Sequence, residues 1–338
     1  MRQVLSERRI GKSGPKVGPM GIGTWAIGGP FFSGEACRYP TGAPLGYGAV
    51  DDAESIRALH CAVDLGAKLF DTADAYGAGH GERILGEALK DKRGQVFIAT
   101  KFGNTYDETT KELTGLDVSP AYIRKACEAS LKRLQTDWID LYQLHAGDLP
   151  LDQAEAVADA LDALCDDGLI RSFAWSTDDP ERAAIFCKRD RVPAVQFDLN
   201  VFSDAPGMIE ACESYNCAGL TRVPLAMGFL SGKFTSGSRL SSTDIRATPP
   251  AWLPYFETGG GAKAEWGERL EVIREILTSK GRTPAQGALA WIWARSERTI
   301  AIPGVRTVAQ VEENLGAAEF GPLTDADMGE IELLLERG

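Results

Sequence analysis

Eight short apolar segments recur along the chain, and stretches with helical spacing separate them. The segments lie at 20–25, 68–70, 95–100, 139–143, 170–174, 194–197, 218–221 and 299–302. Helices are expected at 52–65, 81–89, 121–134, 152–166, after Asp179-Pro180, at 206–214, near 264–279, at 284–294 and at 308–316. Short apolar strands alternating with helices belong to a parallel sheet, because a parallel neighbour is reached only through a crossover that a helix usually supplies. Eight such units predict an α/β fold closed into a (β/α)8 TIM barrel, in place of an open doubly wound sheet. A chain of 338 residues suits one barrel, so a single domain over 1–338 is expected.

Four segments fall outside the repeat. Residues 7–17 read as a β-hairpin with a Ser-Gly turn that plugs one end of the fold, and 325–335 as a surplus C-terminal helix packed outside it. Residues 28–50, rich in Gly, Pro and aromatics, and 233–262, with Pro249-Pro250 and Gly259-Gly260-Gly261, are long loops expected to flank the active site. No apolar run approaches the ~20 residues needed to cross a bilayer, and the first eight residues lack the apolar core of a signal peptide, so a cytoplasmic protein is expected. Seven cysteines without a Cys-x-x-Cys pair or a nearby His cluster read as free thiols, with no metal site. A formal charge of −12 argues against nucleic-acid or anionic-membrane partners, and an anionic ligand would need a local cationic pocket.

In a parallel barrel, the residues at the carboxyl ends of the strands share one face, and chemistry is done there. Asp71 ends the second strand, Lys101 the third, and His145 follows the fourth; Tyr76 stands in the glycine-rich loop after Asp71. A free phenol near pKa 10 is a poor acid at neutral pH. A lysine ammonium nearby is expected to lower that value, while Asp71 keeps the lysine charged and fixed. The set then reads as a general acid that protonates a carbonyl oxygen, with His145 orienting that oxygen. Asp74 is expected to hold the loop. Taken singly, each residue also has an ordinary reading as a loop cap, a loop charge or a structural histidine.

Phe70-Asp71-Thr72-Ala73-Asp74-Ala75-Tyr76-Gly77 with Gly81-Glu82-Arg83-Ile84-Leu85-Gly86, Thr100-Lys101-Phe102-Gly103 and Asp140-Leu141-Tyr142-Gln143-Leu144-His145 together resemble the signature of the aldo-keto reductases. The resemblance continues through Val195-Gln196-Phe197, Pro224-Leu225, the block Gly228 to Lys233, and Ile302-Pro303-Gly304-Val305-Arg306 with Gln310, Glu313 and Asn314. It implies a catalytic tetrad of Asp71, Tyr76, Lys101 and His145, with Tyr76 as proton donor, and NADPH as cofactor. Ser176 and Gln196 would hold the nicotinamide carboxamide. Leu225, Ser231 and Lys233 would meet the pyrophosphate, Arg306 the 2′-phosphate, and Gln310, Glu313 and Asn314 the adenosine end, with Gly228 and Gly304 also among the cofactor-binding residues. Gly23 and Thr24 are further cofactor candidates, since glycines in the first strand predict a close approach to its backbone.

Two positions depart from the family pattern. Ser176 is followed by Thr177 where asparagine is common, and Arg222 occupies the place of the aromatic that usually stacks on the nicotinamide. Arg222 can stack its guanidinium plane, reach an acidic substrate or form a structural salt bridge. Trp25, Phe31, Phe32, Trp252, Tyr255 and Phe256 are expected to wall a pocket for a small carbonyl or alcohol, with a bulky hydroxylated or cyclic ketone preferred. Two alternatives remain: a cofactor-binding, redox-sensing regulatory subunit, and a metal-dependent hydrolase using Asp71, Asp74 and His145.

Overall fold

The computed structural model describes residues 7–12 and 14–337. All eight expected strands form among them: β1 (Ile22–Gly23), β2 (Leu69–Asp71), β3 (Phe97–Phe102), β4 (Leu141–Leu144), β5 (Phe173–Trp175), β6 (Ala194–Asp198), β7 (Ala218–Arg222) and β8 (Thr299–Ala301). β1 to β5 form one parallel sheet in chain order, and β6 to β8 a second. Isolated parallel bridges connect the two sheets: Ser176 with Gln196 beyond β5, and Met20 with Ala301 and Gly23 with Gly304 beside β1.

The helices between them are α1 (Asp52–Asp64), α2 (His80–Leu89), α3 (Pro120–Leu134), α4 (Leu151–Asp166), α5 (Pro180–Cys187), α6 (Pro206–Tyr215), α7 (Ala264–Thr278), α8 (Pro284–Arg295) and α9 (Val308–Gly316). Their starts are set by local chemistry. The Ser119 and Asp179 side chains accept backbone N–H bonds ahead of Pro120 and Pro180, and Thr283 with Gln286 forms a reciprocal capping box on α8. A last helix, α10 (Asp325–Leu334), begins with its own capping box and packs on α7 and α8.

Alternation along the strands decides what faces inward. Leu69, Phe97, Ala99, Leu141, Ala174, Ala194, Ala218, Leu220 and Ile300 make one buried cluster, and Ile10 and Val17 join it from the antiparallel pair Arg8–Arg9 and Lys16–Val17. Ser13 of the expected turn lies outside the described residues. Because side chains repeat every two residues, this same row continues into Asp71, Lys101, Gln143, Ser176, Gln196 and Arg222. The interior is thus apolar at one end of the strands and polar at the other.

One sheet was not expected. Phe32–Ser33 pairs with Glu112–Leu116, which returns against Asn104–Asp107 as a hairpin after β3. The first long loop is therefore partly strand. The second contains a 3-10 turn, Ile245–Ala247, capped by Asp244, and isolated antiparallel bridges join Phe256 to Ala262 and Asp244 to Tyr47.

Candidate active site

Strand register brings Asp71 and Lys101 together, and the loops that follow β2 and β4 bring Tyr76 and His145 to them. Lys101 Nζ donates to the Asp71 carboxylate at 2.5 Å, to the Thr72 carbonyl at 2.8 Å and to the Tyr76 hydroxyl at 3.3 Å. The Tyr76 ring meets His145 edge-on, with centroids 5.9 Å apart. Asp71 is gripped from its other oxygen by Gln143 at 3.0 Å and Gln196 at 2.8 Å, and these two glutamines are bonded to each other at 3.1 Å. The loop that presents Tyr76 needs a glycine at 77: its φ is +62°, and a Cβ there would lie 1.7 Å from the Gly28 carbonyl oxygen. Behind it, buried Glu82 joins Arg133 at 2.7 Å and Thr100 at 2.6 Å, fixing α2 to α3 and β3.

Burial sets the charge states. It pulls the Lys101 ammonium down, but the Asp71 carboxylate and Tyr76 outweigh it, so Lys101 stays above the ordinary lysine value and charged. Burial also pushes the Tyr76 phenol up; Lys101 opposes this and Asp71 reinforces it. The expectation that Lys101 brings Tyr76 below an ordinary phenol is corrected: desolvation prevails, and the phenol keeps its proton. Burial, followed by Lys101 and Arg222, holds His145 well below the usual histidine value, so its ring is neutral at neutral pH; its Nδ1 is buried without a hydrogen-bond partner. Asp74 is buried and raised well above a normal carboxyl, by desolvation and then by Glu82.

At the far end of the mouth, three cations gather. Lys233 is exposed in surface area, yet desolvation of its ammonium, then Arg246 and Arg306, lower it below ordinary lysine. Arg246 is buried in a two-point pair with Asp244, at 2.9 and 2.7 Å, and also donates to the Met227 carbonyl at 3.1 Å. Its guanidinium lies over the Tyr47 ring, 4.8 Å from the centroid. Arg306 donates to the carbonyls of Tyr47, at 3.2 Å, and Ala49. The α9 terminus beside it, expected to favour an anion, already has one: the Glu54 carboxylate accepts from Val308 N–H at 3.0 Å.

The family model described as the aldo/keto reductase family matches residues 19–336. The chain belongs to the aldo/keto reductase family. It is 33% identical to the aldo-keto reductase yakc [NADP(+)] of Schizosaccharomyces pombe, over 84% of this chain and 83% of that protein, and 30% identical to the aldo-keto reductase YhdN of Bacillus subtilis, over 97% and 92%. Among solved structures it resembles the glycerol dehydrogenase AKR11B4 from Gluconobacter oxydans, at 29% identity and a TM-score of 0.79, covering 98% of this chain and 95% of that one. It also resembles the holo form of aldo-keto reductase AKR11C1 from Bacillus halodurans, at 25% identity and 0.74, covering 98% and 96%. With the aldo/keto reductase family comes its reaction class, oxidoreduction with NADPH as hydride carrier.

As an aldo/keto reductase the chain has several residues placed differently from expectation. The Gln196 amide group points at Asp71 and Gln143. Arg222 is ion-paired with Asp198 and, at 2.6 Å, with Asp178, which is the salt-bridge outcome among those considered. What approaches Gly23 closely is the Ile302–Gly304 backbone, 2.8 Å from where its Cβ would stand, and Thr24 donates to the Asp71 carbonyl at 2.9 Å. Leu225 and Gly228 bracket a turn containing left-handed Ala226 and Met227, and Ser231 closes it on the Gly228 carbonyl at 2.7 Å. Gln310 accepts from Arg306 N–H at 2.7 Å, the Glu313 carbonyl accepts from Gln286 at 2.9 Å, and Asn314 is buried. Gly304 is exposed beside Arg306.

Trp25 stacks on Tyr76 at 5.7 Å and meets Trp252 at 6.4 Å; Trp252 is 41% exposed. Phe31 is buried against Tyr76, while Phe32 is committed to its small sheet. Tyr255 and Phe256 are corrected: both are buried and pack around Phe229 in the core instead of facing the mouth. Tyr47, edge-on to Trp25 at 5.4 Å, takes a place in this wall that was not foreseen. Gln143 and Arg246 were also missed. The first stood inside the strand-four motif without a role; the second had a readable signal in Asp244-Ile245-Arg246, an acid two residues before a cation. Asp71, Asp74 and His145 are not joined into a ligand cluster, and no group of three or more potential metal ligands occurs among the described residues.

Proposed function

We propose that this chain is a single-domain barrel enzyme, closed by its eight strands and plugged by its hairpin, that interconverts a small carbonyl compound and its secondary alcohol. The observation that carries the reading is the Asp71–Lys101–Tyr76 hydrogen-bonded line beside a neutral His145. NADPH fits the residues present: an acidic chain gathers Lys233, Arg246 and Arg306 at one place, where burial and then their mutual repulsion lower the first and last of them below their ordinary values. When bound, it supplies the hydride.

Tyr76 is the proton donor to the carbonyl oxygen in reduction, and the acceptor in the reverse direction. Lys101 steadies the negative charge that forms on the phenol oxygen as the proton leaves. Asp71 keeps Lys101 charged and aimed, and Gln143 and Gln196 hold Asp71. His145, neutral, has an N–H free to donate to the substrate oxygen without competing for its proton. Lys233 and Arg306 take the phosphates, with Ser176, Gln310, Glu313 and Asn314 along the remainder of the cofactor. Trp25, Tyr47 and Trp252 wall the substrate, and this cluster of rings suits a bulky hydroxylated or cyclic ketone.

The test is a panel of ketones, aldehydes and secondary alcohols followed at the nicotinamide absorbance. Turnover with NADPH or NADP+ that Tyr76→Phe abolishes is the expected result. Tight NADPH binding with no turnover on any member of the panel would favour the regulatory-subunit reading instead.

A further inference from the structure

Cys187 ends α5, and Cys217 stands in the turn between α6 and β7, at the opposite end of β7 from Arg222. Their sulfurs are 3.5 Å apart, one thiol donating to the other, although 30 residues separate them in sequence. Both are buried, Cys187 slightly less so. The turn around Cys217 is well held: its N–H bonds to the Cys212 carbonyl at 2.9 Å, Asn216 before it is left-handed, and Arg298 donates to the Asn216 side chain. The two sulfurs therefore meet because packed elements place them there.

They also differ in character. The contact with Cys187 favours the thiolate of Cys217, Lys12 and Arg298 add to that, and burial opposes them, leaving Cys217 below an ordinary thiol. The same contact and burial push Cys187 up. Of the two, Cys217 is the thiol whose charged form cations favour, which makes it the attacking thiol and Cys187 the resolving one.

We propose that Cys187 and Cys217 form an oxidation site at which hydrogen peroxide, or another small hydroperoxide, converts the two thiols into a disulfide joining the end of α5 to the start of β7. The Cys217 thiolate attacks one peroxide oxygen; the O–O bond breaks, a sulfenic acid forms, and the departing hydroxide leaves as water with the thiol's proton. The Cys187 sulfur then attacks the sulfenic sulfur; the S–S bond forms, the S–O bond breaks, and a second water leaves with the Cys187 proton. Two thiols lose two electrons and two protons, and one hydrogen peroxide becomes two waters. To reach bonding distance, near 2.05 Å, the sulfurs close by about 1.5 Å. The bond would enclose β6 and α6, which lie between the two cysteines in sequence. It leaves β2 to β4, with Asp71, Lys101 and His145, outside the loop.

The experiment treats the full-length protein with hydrogen peroxide, alkylates remaining thiols, and digests without reductant. The expected result is one joined peptide pair containing Cys187 and Cys217, lighter by about two hydrogens than the separate pair and released by dithiothreitol, with the oxidised protein melting several degrees higher. In Cys187→Ser, folded by circular dichroism, a dione probe should trap a sulfenic acid at Cys217. Recovery of Cys187 and Cys217 as separate alkylated peptides, or a joined peptide that appears only in urea, overturns the proposal. So does a Cys187→Ser protein that carries the dione at other cysteines and none at Cys217.

Discussion

The two ends of the mouth are built on different principles. At the reactive end, Asp71, Lys101 and Gln143 stand on three consecutive parallel strands, in the interior row set by the two-residue repeat, with Lys101 opposite Gln143 and Asp71 opposite Ala99, one interior position before Lys101. At the cationic end, Lys233 and Arg246 belong to an insertion and Arg306 to a loop; Arg246 is held by the Asp244 carboxylate and the Met227 carbonyl, and Arg306 by the carbonyls of Tyr47 and Ala49. A site made by strands is fixed by the fold itself, whereas one made by loops has to be tied down separately. The first should therefore fail in chemistry when altered, and the second in affinity and stability.

The largest effect expected is at Tyr76. Tyr76→Phe should cost about 10² to 10⁴-fold in kcat/KM for reduction, with NADPH affinity by fluorescence titration nearly unchanged; a matching loss of affinity would mean that the two ends are one unit. Next, Asp244→Ala leaves buried Arg246 without its carboxylate, and a loss of about 3 kcal/mol in denaturant unfolding is expected, together with weaker NADPH binding. An unaltered unfolding midpoint would show that the loop does not depend on this pair. Arg306→Ala should weaken NADPH by roughly ten- to a hundred-fold, the range for a lost charge-assisted bond, and NADH far less. Equal losses for the two cofactors would remove its phosphate role.

The smallest effect sharpens the comparison within the reactive end. Below about pH 6.5 an unfolded histidine takes up a proton that folded His145 refuses, so this group makes stability fall as pH drops. Above about pH 4 an unfolded aspartate releases a proton that folded Asp74 keeps, so this group makes stability fall as pH rises. Between those values the two oppose each other. Asp74→Asn should expose a positive slope of stability with pH, up to about 1.4 kcal/mol per unit, and His145→Gln a negative one. Identical slopes in wild type and both variants, measured by urea unfolding, would show that neither group is held as described.

The same contrast explains what could be read from the sequence. Strands, helices and the meeting of Asp71 with Lys101 were legible because each depends on local periodicity and on register between consecutive units. Capping residues such as Ser119 and Asp179 marked helix starts within a residue or two. Gln143 was not legible as a support for Asp71, because an amide inside a strand gives no sign of which neighbour it will meet. Tyr255 and Phe256 misled because an aromatic in a long loop looks the same whether it faces a ligand or anchors the loop to the core. The pairing of Phe32–Ser33 with Glu112–Leu116 joins segments about 80 residues apart and leaves no mark in either. Lys101's effect on Tyr76 had the right sign, but the opposing burial depends on packing that only the fold supplies.

The bonds from Arg306 to the Tyr47 and Ala49 carbonyls carry a last consequence. They make the first long loop an internal competitor for the guanidinium. The two bonds occupy two of the five guanidinium N–H groups; a phosphate that takes those two as well has to displace the carbonyls, and its affinity is then the free energy of an exchange into which the loop's own fit enters. Changes in residues 47–49 should therefore retune NADPH affinity without touching a cofactor atom, by altering how firmly the loop holds the cation it lends.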